Sequence, residues 1–184
     1  MVLIAQDRKD AILGPEHPPS PVVASLGMHP YLMPSLDLSP KAFERIVSMV
    51  PEKRYDEKTD PNRFTLREAL AHLADWEPIF LQRVKAGVDK PGAEVKGIDE
   101  SQRAIDQNYQ DWDVKESLRK FAQARTETVR YLNALTPEQW QSTVTHNEKG
   151  AMTTYDQANM LLGHDIYHFE HASQFVGEKV AGTW

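Results

Sequence analysis

Three of the seven histidines lie in one short stretch of the chain, GHDIYHFEH, residues 163 to 171. If this stretch is helical, His164 and His168 are about one turn apart, and His171 follows on the same edge of the helix. Histidines at positions i and i+4 have a metal-chelating spacing. The alternative interpretation of the same spacing is an exposed polar edge that titrates near neutral pH.

A third imidazole would have to come from another helix, and His72 is the histidine that falls on a second long predicted helix. Three neutral imidazoles suit a borderline divalent ion such as Zn²⁺ or Ni²⁺, and they leave coordination positions open for water or substrate. Open positions are typical of catalytic metal sites. Taken alone, His72 is more readily interpreted as a hydrogen-bonded residue at the edge of the core.

Other side chains near these histidines could take part in chemistry. Asp75 is three residues from His72 and could orient its ring or accept a proton, whereas Glu77 and Asp165 are close in sequence only. For all three carboxylates, a solvated position on an amphipathic helix is the favoured interpretation. Tyr167 and His171 could reach a bound substrate, although Tyr167 could equally cover the helix exterior.

Helix signals before residue 90 predict the elements that would position His72. Residues 1 to 38 contain six of the twelve prolines and predict a mostly irregular N-terminal arm that packs on the main body or on a partner subunit. Ser39-Pro40 predicts the start of a first helix. Thr65 to Glu68 forms a capping box for a second helix, and Gly87 is a candidate stop.

Further caps follow along the chain. Residues 99 to 110 are compatible with a short helix, and Asp113 predicts the start of a third long helix. Thr136 to Gln139 caps a brief helical turn, and Thr154 to Gln157 opens a last helix that runs to about residue 177. Sustained period-two alternation is absent, so any strands are minor. The sequence therefore predicts an all-α four-helix bundle over residues 39 to 178.

Composition restricts the chemistry and the partners. The formal net charge is −6, so neither nucleic-acid binding nor a basic membrane-binding face is expected. The chain has no cysteine, which excludes thiolate ligands and a cysteine nucleophile. The N-terminus has too short an apolar run for a signal peptide, and no stretch could span a bilayer, so a cytoplasmic protein is expected.

Two segments carry a resemblance to a known family. TLREALAHLADWE (65 to 77) and LLGHDIYHFEHASQFVG (161 to 177) resemble the DinB/YfiT-like superfamily, over roughly residues 39 to 177. The resemblance implies a four-helix bundle, often dimeric, with one divalent metal per chain held by His72, His164 and His168. It implies no ligand role for His171, which is often Gln in similar sequences. His171 could instead hydrogen-bond a ligand, transfer a proton or lie on a polar edge.

The resemblance also implies an activity. Some members transfer a low-molecular-weight thiol to an electrophile, and a bound Zn²⁺ or Ni²⁺ would lower the pKa of such a thiol. Because this chain has no cysteine, a small-molecule cosubstrate would supply the thiol. The expected function is therefore a metal-dependent thiol S-transferase, or a related transferase or hydrolase. The alternative is a non-catalytic metal-binding stress-response or protein-interaction module.

Overall fold

Helices account for most of the structure, a computed structural model that describes residues 28 to 177. In chain order, the elements are α1 (Leu32–Ser48), α2 (Leu66–Asp89), β1 (Ala93–Val95), α3 (Glu100–Asp106), α4 (Val114–Asn133), α5 (Pro137–Trp140), β2 (Thr143–His146), β3 (Gly150–Thr153) and α6 (Thr154–Ser173). Single 3-10 turns follow α1 and α3, at Glu52–Arg54 and Tyr109–Asp111.

The four long helices form a ring around the core. Helix α1 packs against α4 and α6, and α2 packs against the same two helices. The order around the ring is therefore α1, α4, α2, α6, so α1 and α2, which are consecutive in the chain, occupy opposite corners. Phe43 of α1 and Phe121 of α4 meet edge to face in the core, with ring centroids 5.8 Å apart. The predicted four-helix bundle is confirmed.

Local caps place most helix starts where the sequence predicts them. The Thr65 hydroxyl accepts from the Glu68 amide, and the Glu68 carboxylate accepts from the Thr65 amide, so the capping box of α2 is complete. Thr136 and Gln139 form a second capping box at α5, and the Asp113 carboxylate caps α4 by accepting from the Glu116 amide. The cap of helix α6 is Thr153, one residue before the predicted box, and the helix ends at Ser173, earlier than the predicted end near residue 177.

The predicted start of the first helix at Ser39-Pro40 is wrong, because α1 begins at Leu32 and contains Pro40. Proline has no amide hydrogen to donate to the carbonyl four residues earlier, which is that of Leu36. That carbonyl instead accepts from the Ser39 hydroxyl at 3.1 Å and from the Arg125 guanidinium at 2.9 Å. The Leu36 carbonyl, which lacks its usual helical donor because of Pro40, is therefore hydrogen-bonded by a residue that is distant in the sequence. Residues 1 to 27 of the predicted arm lie outside the described residues.

Gly87 does not stop α2, which continues to Asp89. A small sheet explains the glycine: β1 pairs in parallel with β2, and β2 pairs antiparallel with β3. A Cβ at Gly87 would lie 2.9 Å from Val144 Cγ1 and 3.1 Å from the Thr143 carbonyl oxygen. Gly87 therefore lets β2 approach the helix closely. Across the described residues, none of the helices has the length and apolar character to cross a membrane.

Candidate metal centre

The structure brings His72, His164 and His168 together, as the sequence predicts. Each ring offers a nitrogen, and these three atoms all lie within 4.8 Å of one another. The Nε2 atoms of His72 and His164 are 2.9 Å apart. Because a zinc–imidazole bond is about 2.0–2.1 Å long, two nitrogens at this separation can bind one ion. The cluster therefore joins two neighbouring corners of the bundle, α2 and α6.

Burial keeps these imidazoles uncharged. The pKa of His72 is lowered to about 2, mainly by burial and further by His164. Burial also lowers the pKa of His164 to about 4, and it lowers the pKa of His168 together with the two neighbouring rings. Metal binding requires the neutral form of histidine. All three rings are therefore in the metal-binding state at neutral pH, without any need to lose a proton.

Aromatic packing holds the rings in place. The Nδ1 atoms of all three histidines are buried and have no hydrogen-bond partner among the described residues. The ring of His72 instead lies 5.3 Å from both Phe64 and Trp76. Phe80 packs 5.5 Å from His164, and the Tyr167 ring stands edge-on to His168 at 5.1 Å. Three neutral imidazole nitrogens at these positions fit a zinc-like or nickel-like ion.

Two surface clefts meet the cluster. The first, named here the His164 cleft, has a volume of about 450 Å³, and its lining includes Trp76, Phe80, Arg83, Glu100, Lys149 and His164. The second, the His168 cleft, has a volume of about 340 Å³, and its lining includes Arg63, Phe64, Glu100, Tyr167, His168 and His171. A histidine of the cluster forms part of each cleft. Small molecules in either cleft would therefore face a ligand of the proposed metal.

Asp75 lies near the cluster but binds elsewhere. Its carboxylate accepts hydrogen bonds from the Arg103 guanidinium, one of them at 2.9 Å, and from the Tyr109 hydroxyl at 2.6 Å. Burial and the bond to Asp75 raise the pKa of Tyr109. The ring of Tyr109 in turn packs 6.1 Å from His72. Asp75 is thus connected to the histidine cluster only indirectly, through Tyr109. Its ion pair with Arg103 joins α3 to α2.

The other two predicted catalytic residues line the His168 cleft. Tyr167 is 56% exposed, and the Arg63 guanidinium lies 4.6 Å from the centre of its ring. His171 is buried, and its Nε2 has no hydrogen-bond partner among the described residues. Burial, with a smaller effect of Arg63, lowers the pKa of His171 to about 4. His171 is therefore a neutral ring at the edge of the site.

The interpretation of Glu77 and Asp165 as solvated carboxylates is wrong, because both are buried against Arg125. Arg125 donates from Nε to Glu77 at 2.8 Å and from Nη1 to Asp165 at 2.6 Å. Although burial lowers the pKa of Arg125, its hydrogen bonds to both carboxylates raise it overall. The available signal was the position of Arg125, four residues after Phe121 on the apolar stripe of α4.

Sequence reasoning also missed the charged residues of the His164 cleft. Glu100 begins α3, Arg83 lies on α2, and Lys149 lies in the turn between β2 and β3. These positions have no shared sequence motif, because they meet only when the sheet packs beside α2. Trp76 also lines this cleft.

Comparisons with known proteins agree with this architecture. The family model for the DinB superfamily matches residues 35 to 172. A solved structure of YfiT from Bacillus subtilis is similar to this chain with a TM-score of 0.74 and 19% sequence identity, and the match covers 78% of this chain and 83% of YfiT. YfiT is described as "a probable metal-dependent hydrolase with an unusual four-helix bundle topology". No curated protein matches the chain. With three quarters of its length matched by the family model, the chain belongs to the DinB superfamily.

Proposed function

We propose that this protein is a divalent-metal-dependent enzyme that acts on a small molecule, with His72, His164 and His168 as the metal ligands. The main support for the proposal is that three neutral imidazoles converge, and that two of them, those of His164 and His168, each line a surface cleft. A divalent ion held there would supply Lewis-acid chemistry and lower the pKa of a thiol or a water molecule. Zn²⁺ and Ni²⁺ are the expected ions, one per chain.

The clefts supply a binding surface for such a substrate. Trp76 and Phe80 form an apolar wall beside His164, and the indole Nε1 of Trp76 is buried without a hydrogen-bond partner among the described residues. On the other side, His171 and Tyr167 line the His168 cleft and are placed to contact the same substrate.

Two nucleophiles fit the site. A low-molecular-weight thiol would attack an electrophilic carbon, forming a carbon–sulfur bond while a halide or an epoxide oxygen leaves. The absence of cysteine means that this sulfur comes from the cosubstrate. Water in the same position would make the enzyme a hydrolase, and the description of YfiT as a probable metal-dependent hydrolase supports this second reaction. Both reactions require the same histidines.

Metal content is the first test. The protein, purified without a histidine tag, is assayed by elemental mass spectrometry beside His168→Ala and His146→Ala; the latter is a buried histidine outside the cluster. We expect about one zinc or nickel per chain in the wild type and in His146→Ala, and loss in His168→Ala. No metal in any sample, even after divalent ions are added, would overturn the proposal.

Activity assays then separate the two reactions. The metal-loaded protein is offered glutathione or cysteine with 1-chloro-2,4-dinitrobenzene, and separately p-nitrophenyl acetate in water. Thiol-dependent turnover that disappears in His168→Ala supports the transferase, and ester cleavage without thiol supports the hydrolase. One bound ion with no turnover across broader panels of both substrate types would favour the non-catalytic module. Light scattering on the same sample tests the expected homodimer.

A further inference from the structure

We propose that Glu100 is a catalytic carboxylate of this site, which accepts the proton of the nucleophile and returns it to the leaving group. The inference rests on the proposed function, since it assumes a metal held by the three histidines. It concerns a residue on a short helix that the sequence did not single out as part of any site.

The position of Glu100 carries the inference. Glu100 lines both the His164 cleft and the His168 cleft, the two clefts that contain ligands of the proposed metal. A substrate in either cleft would therefore lie next to it. Residues such as Lys149 and Glu148 line the first cleft only, and Arg63 lines the second only.

The Glu100 carboxylate is also free of hydrogen-bond and ion-pair partners among the described residues. The other carboxylates near the cluster are occupied: Asp75 by Arg103 and Tyr109, and both Glu77 and Asp165 by Arg125. Glu148 is similarly unpaired, but it packs against Gly97 at the edge of the His164 cleft. Glu100 is thus available to a ligand from both sides.

The surroundings of Glu100 suit proton transfer. Glu100 is an exposed residue, but the atoms packed around its carboxylate partly desolvate it and raise its pKa, while the cations of Lys149 and Arg83 oppose that increase and Asp99 adds to it. A carboxyl whose pKa is raised accepts and releases a proton more readily near neutral pH. The Arg83 guanidinium donates to the Lys96 carbonyl at 2.7 Å and lies 5.7 Å from the centre of the Trp76 ring, and its interaction with Glu100 is electrostatic, without a hydrogen bond.

The segment that carries Glu100 is fixed in place. The Gly97 amide donates to Asn147 Oδ1 at 2.6 Å, which ties the start of the segment to the turn between β2 and β3. The Asp99 side chain caps α3, and Arg103 binds Asp75 on α2. Catalytic groups act efficiently when the scaffold holds them in position before substrate arrives.

The proposed step is a proton transfer coupled to attack. The O–H or S–H bond of the nucleophile breaks, its proton passes to a carboxylate oxygen of Glu100, and the freed electron pair forms the new bond to the electrophilic carbon. Where the leaving atom is an oxygen, as in an epoxide or an ester, Glu100 then protonates it as its bond to that carbon breaks; a halide leaves as the anion, and Glu100 releases the proton to water. Glu100 ends the cycle as a carboxylate, so no further reactant is required.

Cobalt provides a readout that does not depend on turnover. The metal-free protein is loaded with Co²⁺ alone, and its visible absorption is followed from pH 5 to pH 9 for the wild type and three variants. Glu100→Gln removes the proposed group, and Glu148→Gln removes the other unpaired carboxylate. Asp106→Asn removes a charge from the same helix, away from both clefts.

We expect all four proteins to bind one Co²⁺ and Glu100→Gln to change the titration more than Glu148→Gln or Asp106→Asn does. Loss of a nearby negative charge favours ionisation of a group bound to the Co²⁺. The midpoint of the absorption titration should therefore fall by on the order of one pH unit, at an effective dielectric of about 20. With a substrate found in the activity assays, kcat should fall by about 10²- to 10⁴-fold in Glu100→Gln while KM changes little.

The outcomes separate this inference from the proposed function. If Co²⁺ binds and the Glu100→Gln titration matches the wild type, the role of Glu100 is overturned and the metal site stands. Equal shifts in all three variants, or a shift in Glu148→Gln alone, also overturn it. If Co²⁺ does not bind to the wild type, both proposals fail.

Discussion

Asp165 directly follows the proposed ligand His164 in α6, and its carboxylate accepts two hydrogen bonds from Arg125, at 2.6 and 3.0 Å. The same guanidinium binds Glu77 on α2 and the Leu36 carbonyl on α1. One side chain of α4 thus connects all four corners of the bundle. Since α2 and α6 carry His72, His164 and His168, this buried network also holds together the two helices of the proposed metal site.

Replacing Arg125 by Met should destabilise the protein strongly. The substitution leaves Glu77 and Asp165 buried without a counter-charge, and breaking such a pair reduces the free energy of unfolding by about 3–5 kcal/mol. Urea denaturation measures the change. Arg130→Met, at an exposed position of the same helix, should differ from the wild type by less than about 0.5 kcal/mol. Equal stability of the two variants would contradict this account.

The Asp75–Arg103 pair should behave as a unit that holds α3. Asp75→Asn and Arg103→Gln are each expected to increase hydrogen exchange of the amides of residues 100 to 106 while the metal content is unchanged. The double variant should be no more mobile than either single variant, because both remove the same contact. If Asp75→Asn abolishes turnover and Arg103→Gln does not, Asp75 has the direct catalytic role that the sequence suggested.

Two glycines within helices should respond in opposite directions to alanine. At Gly163 a Cβ meets nothing within 4 Å, so Gly163→Ala should raise the free energy of unfolding by about 0.5–1 kcal/mol through helix propensity. At Gly87 the Cβ would press on Val144 and on the Thr143 backbone. We expect Gly87→Ala to lower stability by about 1–3 kcal/mol, as overpacking does. Thermal and urea unfolding compare the two, and stabilisation by Gly87→Ala would contradict the packing of α2 on β2.

His171 should make the stability of the metal-free protein depend on pH. Its pKa is about 4 in the folded state, below the ordinary 6.5, so between these values the unfolded chain binds more protons. Stability should therefore fall as the pH is lowered from 7 to 5, with His171 contributing about 1–2 kcal/mol. Between pH 7 and pH 5, the free energy of unfolding of His171→Gln should fall by about 1–2 kcal/mol less than that of the wild type. Urea denaturation of protein freed of metal with a chelator measures both. Parallel curves for both proteins would show that His171 does not titrate in this way.

Local sequence signals account for the features that were predicted successfully. Thr65, Asp113 and Thr136 cap their helices through atoms three residues away, so their roles are visible in a short window of sequence. The i and i+4 spacing of His164 and His168 is likewise local. The bundle follows from these helices because each presents an apolar stripe.

Long-range contacts explain what could not be predicted. Pro40 was interpreted as a helix start because the donor that satisfies its helix, Arg125, is far away in sequence. Gly87 was interpreted as a stop because strand β2, which requires the glycine, is distant from it in the sequence. The clefts depend on similar long-range packing, so Glu100 had no distinguishing signal in the sequence.

The two Nε2 atoms that lie 2.9 Å apart, those of His72 and His164, belong to residues separated by 92 positions. The proposed ion, bound by both, would be a cross-link across that long loop, in a chain that has no cysteine to form a disulfide. Such a cross-link would need no redox reaction to form or break, and its contribution would grow with the concentration of free metal. The melting temperature of this protein should therefore rise with the supply of divalent ion, which would make availability of the metal a determinant of its stability.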